Sequence, residues 1–336
     1  MFNKSKNSIS IKLIALLGAA LMLFYYVLPS TNIKKSDDTT FRLISAYKPA
    51  TSIVLALGAE DYLVGIHGRP KSNKVIQSLY DKSDYNLTNV GGRKSGYNIE
   101  SIIALEPDLI ILPPMDESEI LIQKLKEFDI NYLCINPESV ESLKSSILEI
   151  GKSINRIERA KTLVTFFNKY LDKIQSRISG SFDKKRVYIA GPYGYLSTIS
   201  QDLYQHEMIE LAGGRDVSSH LNGSWNEISI EELIKQNPEI VFSVPYMKPD
   251  VNFDSNDFAK SKIIAYQNQA IYKIPSSISS WDTPEPQSIL GIIWMSKKIY
   301  PDLFSDIDMI ELTNGFYNEF YGKSFQKFGG SLDEIK

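Results

Sequence analysis

The chain has 336 residues, of which 43% are hydrophobic, 23% charged and 11% aromatic, a composition typical of globular proteins. The length predicts about two domains, and the single cysteine, Cys134, excludes a fold held together by internal disulfides. The formal net charge is -3; the first forty residues carry +3, so the remainder carries -6. Because this acidic body has no basic block, no nucleic-acid partner is expected.

The first forty residues resemble a targeting segment. Lys4, Lys6 and Lys12 precede an uncharged apolar run at residues 13–28, which Pro29 follows. This order is typical of an export signal, and the preceding lysines predict that the body lies outside the cytoplasm. The run is long for a signal peptide and short for a spanning helix, so a cleaved signal and an uncleaved anchor both stay open. No cysteine follows the run, so a lipid anchor is not expected.

Short apolar segments that fit strands alternate with stretches that fit helices, which favours an α/β fold. The strand and helix pairs are residues 42–46 with 52–57, 109–112 with 117–128, and 132–135 with 140–150. Cys134 lies in the last of these apolar runs and is expected to be a small buried side chain.

The pattern changes between residues 154 and 180, where apolar side chains recur at three- and four-residue spacing up to Gly180. This spacing predicts one long helix. Its apolar positions are Ile157, Ala160, Val164, Phe167, Leu171, Ile174 and Ile178. The alternation of strands and helices resumes at residues 186–190, so the long helix separates two α/β regions.

Two segments of similar sequence, residues 99–110 and 230–241, lie 131 positions apart. Each reads Ile-Glu-x-Ile/Leu-Ile, then three further positions before a proline, an acidic residue and two aliphatic residues. Because proline ends a helix and the aliphatic pair begins a buried strand, both copies predict the same helix–proline–strand unit. Two equivalent lobes leave a cleft between them, which is a common place for a small ligand.

Motifs that would indicate an enzyme are missing from the sequence. It has no dinucleotide-binding glycine pattern, no complete phosphate loop, no nucleophile elbow and no His-Glu-x-x-His zinc motif. Three distant histidines, His67, His206 and His220, could in principle converge on a metal ion. We therefore predict no enzymatic activity, no resident cofactor and no metal site.

Three segments carry a resemblance to a known family. Residues 48–66 look like its opening, residues 98–112 like its N-lobe signature, and residues 225–241, which begin at Trp225, like the C-lobe counterpart. Their order, with the long helix between the second and the third, resembles the helical-backbone (class III) solute-binding proteins of ABC importers. The resemblance covers roughly residues 41–325.

This resemblance implies two Rossmann-like lobes joined by a single long α-helix, with the ligand cleft between them. The implied domains are residues 1–40 as a signal peptide or membrane anchor with a linker, 41–153 as the N-terminal lobe, 154–180 as the interlobe helix and 181–336 as the C-terminal lobe.

The function that the resemblance implies is extracytoplasmic capture of a metal chelate, namely a ferric siderophore, haem or a corrinoid such as vitamin B12. The implied partner is an ABC permease dimer in the cytoplasmic membrane, with its ATPase. The protein is expected to be a periplasmic or otherwise extracytoplasmic monomer, tethered if its N-terminal segment stays uncleaved.

Two glutamates follow from the resemblance. In this family one glutamate on each lobe engages arginines of the permease dimer, and the matching positions are Glu100 and Glu231. Carboxylate–guanidinium pairs are bidentate and directional, which suits such docking.

The candidate ligand-binding residues lie in loops that follow strands. On the first lobe they are Tyr47, His67, Arg69, Arg93 and Tyr97, and on the second Tyr193, Tyr195, Trp225, Tyr246 and Trp281. The arginines could bind carboxylates or oxyanions, and the aromatic rings could wall a siderophore or macrocycle.

Three classes of function stay open at this stage. Beside the metal-chelate carrier, the same fold could bind a small oxyanion (molybdate or tungstate) or a bare metal ion, and a two-lobed metal-chelating enzyme is a more distant alternative. Arg69 and Arg93 are two of only eight arginines, against 29 lysines, and with His67 they favour an oxyanion. A wide aromatic cleft would favour a chelate.

Overall fold

The structure is a computed structural model that describes residues 41–68, 73–80, 87–93, 95–180, 183–249 and 256–332. The predicted export segment and Arg69 lie outside these residues. Among the helices that are described, none combines the length and apolar character needed to cross a membrane.

The first lobe is built on a five-stranded parallel sheet with the strand order β3-β2-β1-β6-β7. A two-stranded antiparallel hairpin, β4–β5, follows β3. The strands are β1 (Leu43–Ser45), β2 (Leu63–Ile66), β3 (Thr88–Asn89), β4 (Gly91–Gly92), β5 (Gly96–Tyr97), β6 (Leu109–Leu112) and β7 (Tyr132–Cys134). The helices are α1 (Lys48–Ala56), α2 (Lys74–Tyr80), α3 (Ile99–Ala104), α4 (Glu119–Glu127) and α5 (Val140–Ser153). Short 3-10 turns occur at Glu60–Tyr62 and Met115–Glu117.

The second lobe is built on a six-stranded mixed sheet with the order β11-β9-β8-β12-β13, in which β10 also pairs with β8. Its strands are β8 (Arg186–Gly191), β9 (Gly194–Thr198), β10 (Arg215–Asp216), β11 (Asn226–Glu227), β12 (Ile240–Ser243) and β13 (Ile271–Lys273). Its helices are α7 (Tyr204–Leu211), α8 (Ile230–Gln236), α9 (Asp257–Lys260) and α10 (Ile264–Gln267). The pairs β8–β12 and β12–β13 are parallel, whereas β8–β9 and β9–β11 are antiparallel. The predicted α/β architecture with two lobes is confirmed.

A single long helix, α6 (Ile157–Ile178), connects the first lobe to the second along the sequence, before β8. Two later helices, α11 (Ser288–Ile299) and α12 (Met309–Tyr321), pack beside it, and a 3-10 turn at Gln326–Phe328 follows them. Helix α12 returns to the first lobe and packs against α1, and one continuous apolar core contains residues of both lobes. The two lobes therefore have separate sheets but share a core.

The repeated segments form the same unit in both lobes. A residue with positive φ follows each of the helices α3 and α8, namely Glu106 (φ 43°) and Asn237 (φ 45°), and it directly precedes the proline that leads into β6 or β12. Each helix also begins with a side-chain cap, Asn98 on the Ser101 amide and Ser229 on the Glu232 amide. The capping oxygen satisfies a free amide of the first turn, which fixes where the helix begins.

An arginine anchors this unit in each lobe: Arg42 directly precedes β1, and Arg186 begins β8. Arg42 donates Nε–H to the carbonyl of Leu105, and Arg186 donates Nε–H to the carbonyl of Asn237, both at 2.8 Å. Their main-chain amides bind the acidic residue after the proline, Asp108 at 2.7 Å and Glu239 at 3.0 Å. The sequence comparison of the repeats did not reveal these arginines, because they lie outside the repeat itself.

Candidate functional site

The loops that carry the predicted ligand residues leave the carboxyl ends of strands in both sheets. Tyr47 follows β1, His67 follows β2, Tyr193 follows β8 and Tyr246 follows β12. In open α/β sheets the carboxyl ends of parallel strands form the crevice in which ligands bind.

Tyr47 and His67 follow the neighbouring strands β1 and β2. The His67 amide donates to the Ser45 carbonyl, and His67 Nδ1 lies 3.4 Å from Thr51 Oγ1 at the start of α1. Burial, together with the Lys48 charge, lowers the pKa of His67 to about 4. His67 is therefore neutral at pH 7 and offers hydrogen bonds rather than charge. Burial and the nearby Glu138 carboxylate raise the pKa of Tyr47, so its phenol stays protonated.

Arg93 is exposed at the end of the β4–β5 hairpin and is already paired. Its Nη2 lies 2.8 Å from Glu117 Oε1, in the 3-10 turn after β6. A second carboxylate, Glu138, lies close enough for Glu117 to raise its pKa, in addition to the effect of burial, while Arg93 and Tyr47 act in the opposite direction. This corner of the cleft therefore holds one described guanidinium and two carboxylates.

A buried carboxylate, Glu285, joins the two lobes at the bottom of this region. Lys48 Nζ lies 2.7 Å from Glu285 Oε1, although Lys48 begins α1 of the first lobe and Glu285 follows β13 of the second. Glu285 and the five side chains that donate to its carboxylate form what we call the Glu285 cluster. The donors are Lys48, Ser52, Asn73, Thr283 and Gln287.

The charges of the Glu285 cluster stabilise each other. Burial alone would raise the pKa of Glu285, but the Lys48 charge and the hydrogen bonds outweigh burial and lower it. Burial disfavours the charged form of Lys48, yet Glu285 raises the pKa of Lys48 above its ordinary value. Both groups are therefore ionised at neutral pH, although Glu285 is only 1% exposed.

On the second lobe, the hydroxyl of Tyr246 has a carboxylate partner. Its hydroxyl donates to Asp282 Oδ2 at 3.2 Å, and Asp282 also accepts from Ser280 and, at 3.5 Å, from Gln205. Burial raises the pKa of Asp282. Tyr246 is 48% exposed, so its ring is presented outward while its hydroxyl is held in place.

Three of the predicted aromatic residues are occupied by packing. Trp281 is 0% exposed, and its ring centroid lies 6.2 Å from that of Phe325 in the shared core. Trp225 is half-buried, and its ring covers Gly191 so closely that a Cβ atom there would lie 2.5 Å from it. The ring of Tyr195 is also half-buried. The expectation that Trp281 faces the cleft is not met, because its side chain contributes to the core that joins the lobes.

The remaining predicted aromatic residues differ in exposure. Tyr193 is 61% exposed, with the Lys248 ammonium 5.4 Å from its ring centroid. Tyr97 is half-buried in β5, and burial raises its pKa. Tyr193 and Tyr246 are thus the second-lobe candidates whose rings are free to meet a ligand.

The two predicted docking glutamates occupy equivalent places. Glu100 and Glu231 are each the second residue of their helix, α3 and α8, and both side chains are exposed. A carboxylate in the first turn interacts favourably with the helix dipole. The repeat thus presents one exposed carboxylate per lobe in matching local structure.

Several residues of this region were not among the sequence candidates. Lys48 and Asp282 are chain neighbours of the candidates Tyr47 and Trp281, so the sequence could have identified them. Glu117 and Glu138 follow β6 and β7, and the same argument about strand ends could have found them. No local sequence pattern indicates the role of Glu285, because its partner Ser52 lies 233 residues away in the chain.

The family model described as "Periplasmic binding protein" matches residues 43–278. The molybdate-binding protein MolA of Haemophilus influenzae is 27% identical over 317 residues, covering 86% of this chain and 88% of that protein. A vitamin B12-binding protein of Vibrio parahaemolyticus is 22% identical over 270 residues, covering 80% and 93%.

Among solved structures, a periplasmic solute-binding protein from Veillonella parvula superposes with a TM-score of 0.73 at 26% sequence identity. The superposed residues cover 85% of this chain and 89% of the Veillonella parvula protein. The family match includes both sheets, the helix α6 between them and most of the loops of the crevice. The chain therefore belongs to the periplasmic binding proteins, the solute-binding components of ABC importers.

Proposed function

We propose that the cargo of this binding protein is a small oxyanion, bound at the carboxyl ends of the strands of the first lobe. The observation that carries this proposal is the contrast between the two kinds of side chain in the cleft. On the first-lobe side these are hydrogen-bond donors and a guanidinium, namely Tyr47, His67 and Arg93. The rings of Trp281, Trp225 and Tyr195, which a macrocycle would need, are instead taken up by packing.

The molybdate-binding relative from Haemophilus influenzae supports this choice, since it matches most of the chain. A metal chelate, which was the first expectation from the sequence, becomes the second candidate. The exposed rings of Tyr193 and Tyr246 and the similarity to vitamin B12-binding proteins favour it. Both candidates place the ligand in the same cleft.

We further propose that Glu100 and Glu231 dock the protein on arginines of a permease dimer, one on each lobe. Their exposure and their matched positions in α3 and α8 support this role. In the same proposal the apolar run at residues 13–28 directs export, and the protein works as a monomer in the periplasm or an equivalent extracytoplasmic space.

The cargo is tested by calorimetric titration with molybdate, a ferric siderophore, haemin and cobalamin. We expect molybdate to bind, and Arg93→Ala to weaken it by about ten-fold or more, because a hydrogen bond to a charged group contributes ~1.5–3 kcal/mol. Arg215→Ala, which removes an exposed arginine of β10, is the matched control and should leave affinity unchanged.

Two results would contradict the oxyanion proposal. Molybdate binding that is equally tight in the wild type and in Arg93→Ala would remove Arg93 from the site. Binding of haemin or cobalamin but not molybdate, with a large loss in Tyr246→Ala, would establish the chelate instead.

A further inference from the structure

Lys48 and Arg93 each already have a carboxylate partner. Lys48 Nζ lies 2.7 Å from Glu285 Oε1, and Arg93 Nη2 lies 2.8 Å from Glu117 Oε1. An anionic ligand must therefore share each cation with its partner or displace that partner. The two pairs differ in how firmly the carboxylate is held.

The partner of Lys48 is fixed. Glu285 accepts hydrogen bonds from the other donors of the Glu285 cluster as well, and its side chain is 1% exposed. Moving this carboxylate would leave several buried donors without an acceptor, which is energetically unfavourable. Lys48 and Glu285 thus form a permanent pair, and Lys48 contributes little free charge to the cleft.

The partner of Arg93 is held loosely by comparison. Glu117 ends a three-residue 3-10 turn, its side chain is 30% exposed, and that of Arg93 is 52% exposed. An exposed ion pair of this kind contributes little free energy, since water solvates both ions well when they separate. The carboxylate of Glu138 lies in the same corner: besides burial, Glu117 raises its pKa, whereas Arg93 lowers it.

We propose that Glu117 is an exchangeable counter-ion of Arg93, whose carboxylate occupies the part of the guanidinium that a cargo oxyanion takes over. A carboxylate and a tetrahedral oxyanion offer the same kind of acceptor oxygens to the same N–H donors. Cargo binding then replaces one ion pair by another, and Glu117 acts as an internal competitor that lowers affinity. This inference rests on the proposed oxyanion function.

The test compares Glu117→Gln with Glu119→Gln in the full chain. Glu119 is exposed and lies two residues further on, so the control removes the same charge without touching the pair. With molybdate as the titrant at about 0.15 M salt, Glu117→Gln should raise affinity about two- to five-fold. Glu119→Gln should have a much smaller effect, because solvent ions screen charges that are not in contact.

The gain in molybdate affinity of Glu117→Gln must disappear when Arg93 is missing. In an Arg93→Ala background, Glu117→Gln should change molybdate affinity no more than Glu119→Gln does. An equal gain in both glutamine variants, or a gain that persists without Arg93, would overturn the inference, since either result would show only a general effect of net charge.

A second readout does not depend on the cargo. Phenylglyoxal modifies accessible arginines, and peptide mass mapping reports the rate at Arg93 alone. Glu117→Gln should increase this rate, whereas Glu119→Gln should not. An unchanged rate at Arg93 would overturn the inference whatever molybdate does. If the wild type fails to bind molybdate but Glu117→Gln still increases the rate of Arg93 modification, the exchangeable pair is supported and the proposed cargo is refuted.

Discussion

Glu285 shows how a binding protein can keep a charge in its interior. The carboxylate lies between the lobes, where burial would normally force it to become neutral. Lys48 and the neutral donors of the Glu285 cluster keep it ionised and at the same time tie α1 to the segment after β13. Its role is to hold the lobes together at the bottom of the cleft.

Replacing Glu285 by glutamine should destabilise the protein strongly. The variant leaves Lys48 beside a neutral amide, and breaking a buried ion pair typically costs ~3–5 kcal/mol. Because Lys48 retains 28% exposure and can turn toward water, we expect about 3 kcal/mol, measured as the free energy of unfolding in urea.

The matched control for this prediction is Glu141→Gln. Glu141 also pairs with a lysine, Lys144, but its side chain is 76% exposed, so its loss should cost less than about 1 kcal/mol. Equal unfolding free energies for the two variants would show that the Glu285 cluster does not stabilise the interlobe contact.

The individual residues of the site were only partly predictable from the sequence. Tyr47 and His67 could be found because they follow strands of the parallel sheet. Arg93 lies instead in the turn of the antiparallel β4–β5 hairpin, and it stood out because arginine is scarce in this sequence. The rule about strand ends led to the wrong prediction that Trp281 faces the cleft. The sequence does not show that Phe325, 44 residues later, packs against the ring of Trp281. Contacts of this length depend on the tertiary fold.

At the scale of secondary structure elements, the unit formed by α3 with β6 and by α8 with β12 is the feature that the lobes share. An arginine fixes the end of each helix, and a side-chain cap fixes its start. Because both ends are fixed, the exposed glutamates in the first turns are held in defined positions.

Replacing Glu100 and Glu231 together by alanine should abolish uptake in cells that carry the cognate permease, while cargo affinity stays within a few-fold. The reason is that both side chains are exposed and make no contribution to the Glu285 cluster or the Arg93 pair. Transport assays and calorimetry on the same variant check the two parts.

Glu141→Ala combined with Glu158→Ala removes two exposed glutamates outside these helices and serves as the control, with uptake unchanged. If the Glu100/Glu231 variant transported as well as this control, the docking assignment would be wrong.

The elements themselves were largely predictable. The helix–proline–strand repeat and the long apolar stripe at residues 154–180 identified α3, α8 and α6, because local spacing determines which face of a helix is buried. The mixed order of the second sheet was not predictable, since no local pattern distinguishes the antiparallel β9 from a parallel strand.

On the scale of the whole molecule, the connection between the lobes is rigid. Helix α6 spans it, and the rings of Phe166 on α6 and of Phe316 and Phe320 on α12 pack together. Opening the lobes widely would pull apart this core as well as the Glu285 cluster. We therefore expect cargo binding to cause only a small movement of one lobe against the other.

Small-angle scattering of the protein with and without its cargo should give nearly superimposable curves. The two-residue variant Phe316→Ala with Phe320→Ala, which weakens the packing on α6, should show a larger difference between the two states. A large change in radius of gyration of the wild type on binding would refute the rigid connection.

The return of α12 to the first lobe also has a consequence for how the chain acquires its structure. Helix α1 is among the first elements to leave the ribosome, whereas its packing partner at residues 309–321 is among the last. The first lobe therefore cannot complete its core during synthesis, and native packing waits for nearly the entire polypeptide. We therefore expect the contact between α1 and α12 to form only after residues 309–321 have been synthesised.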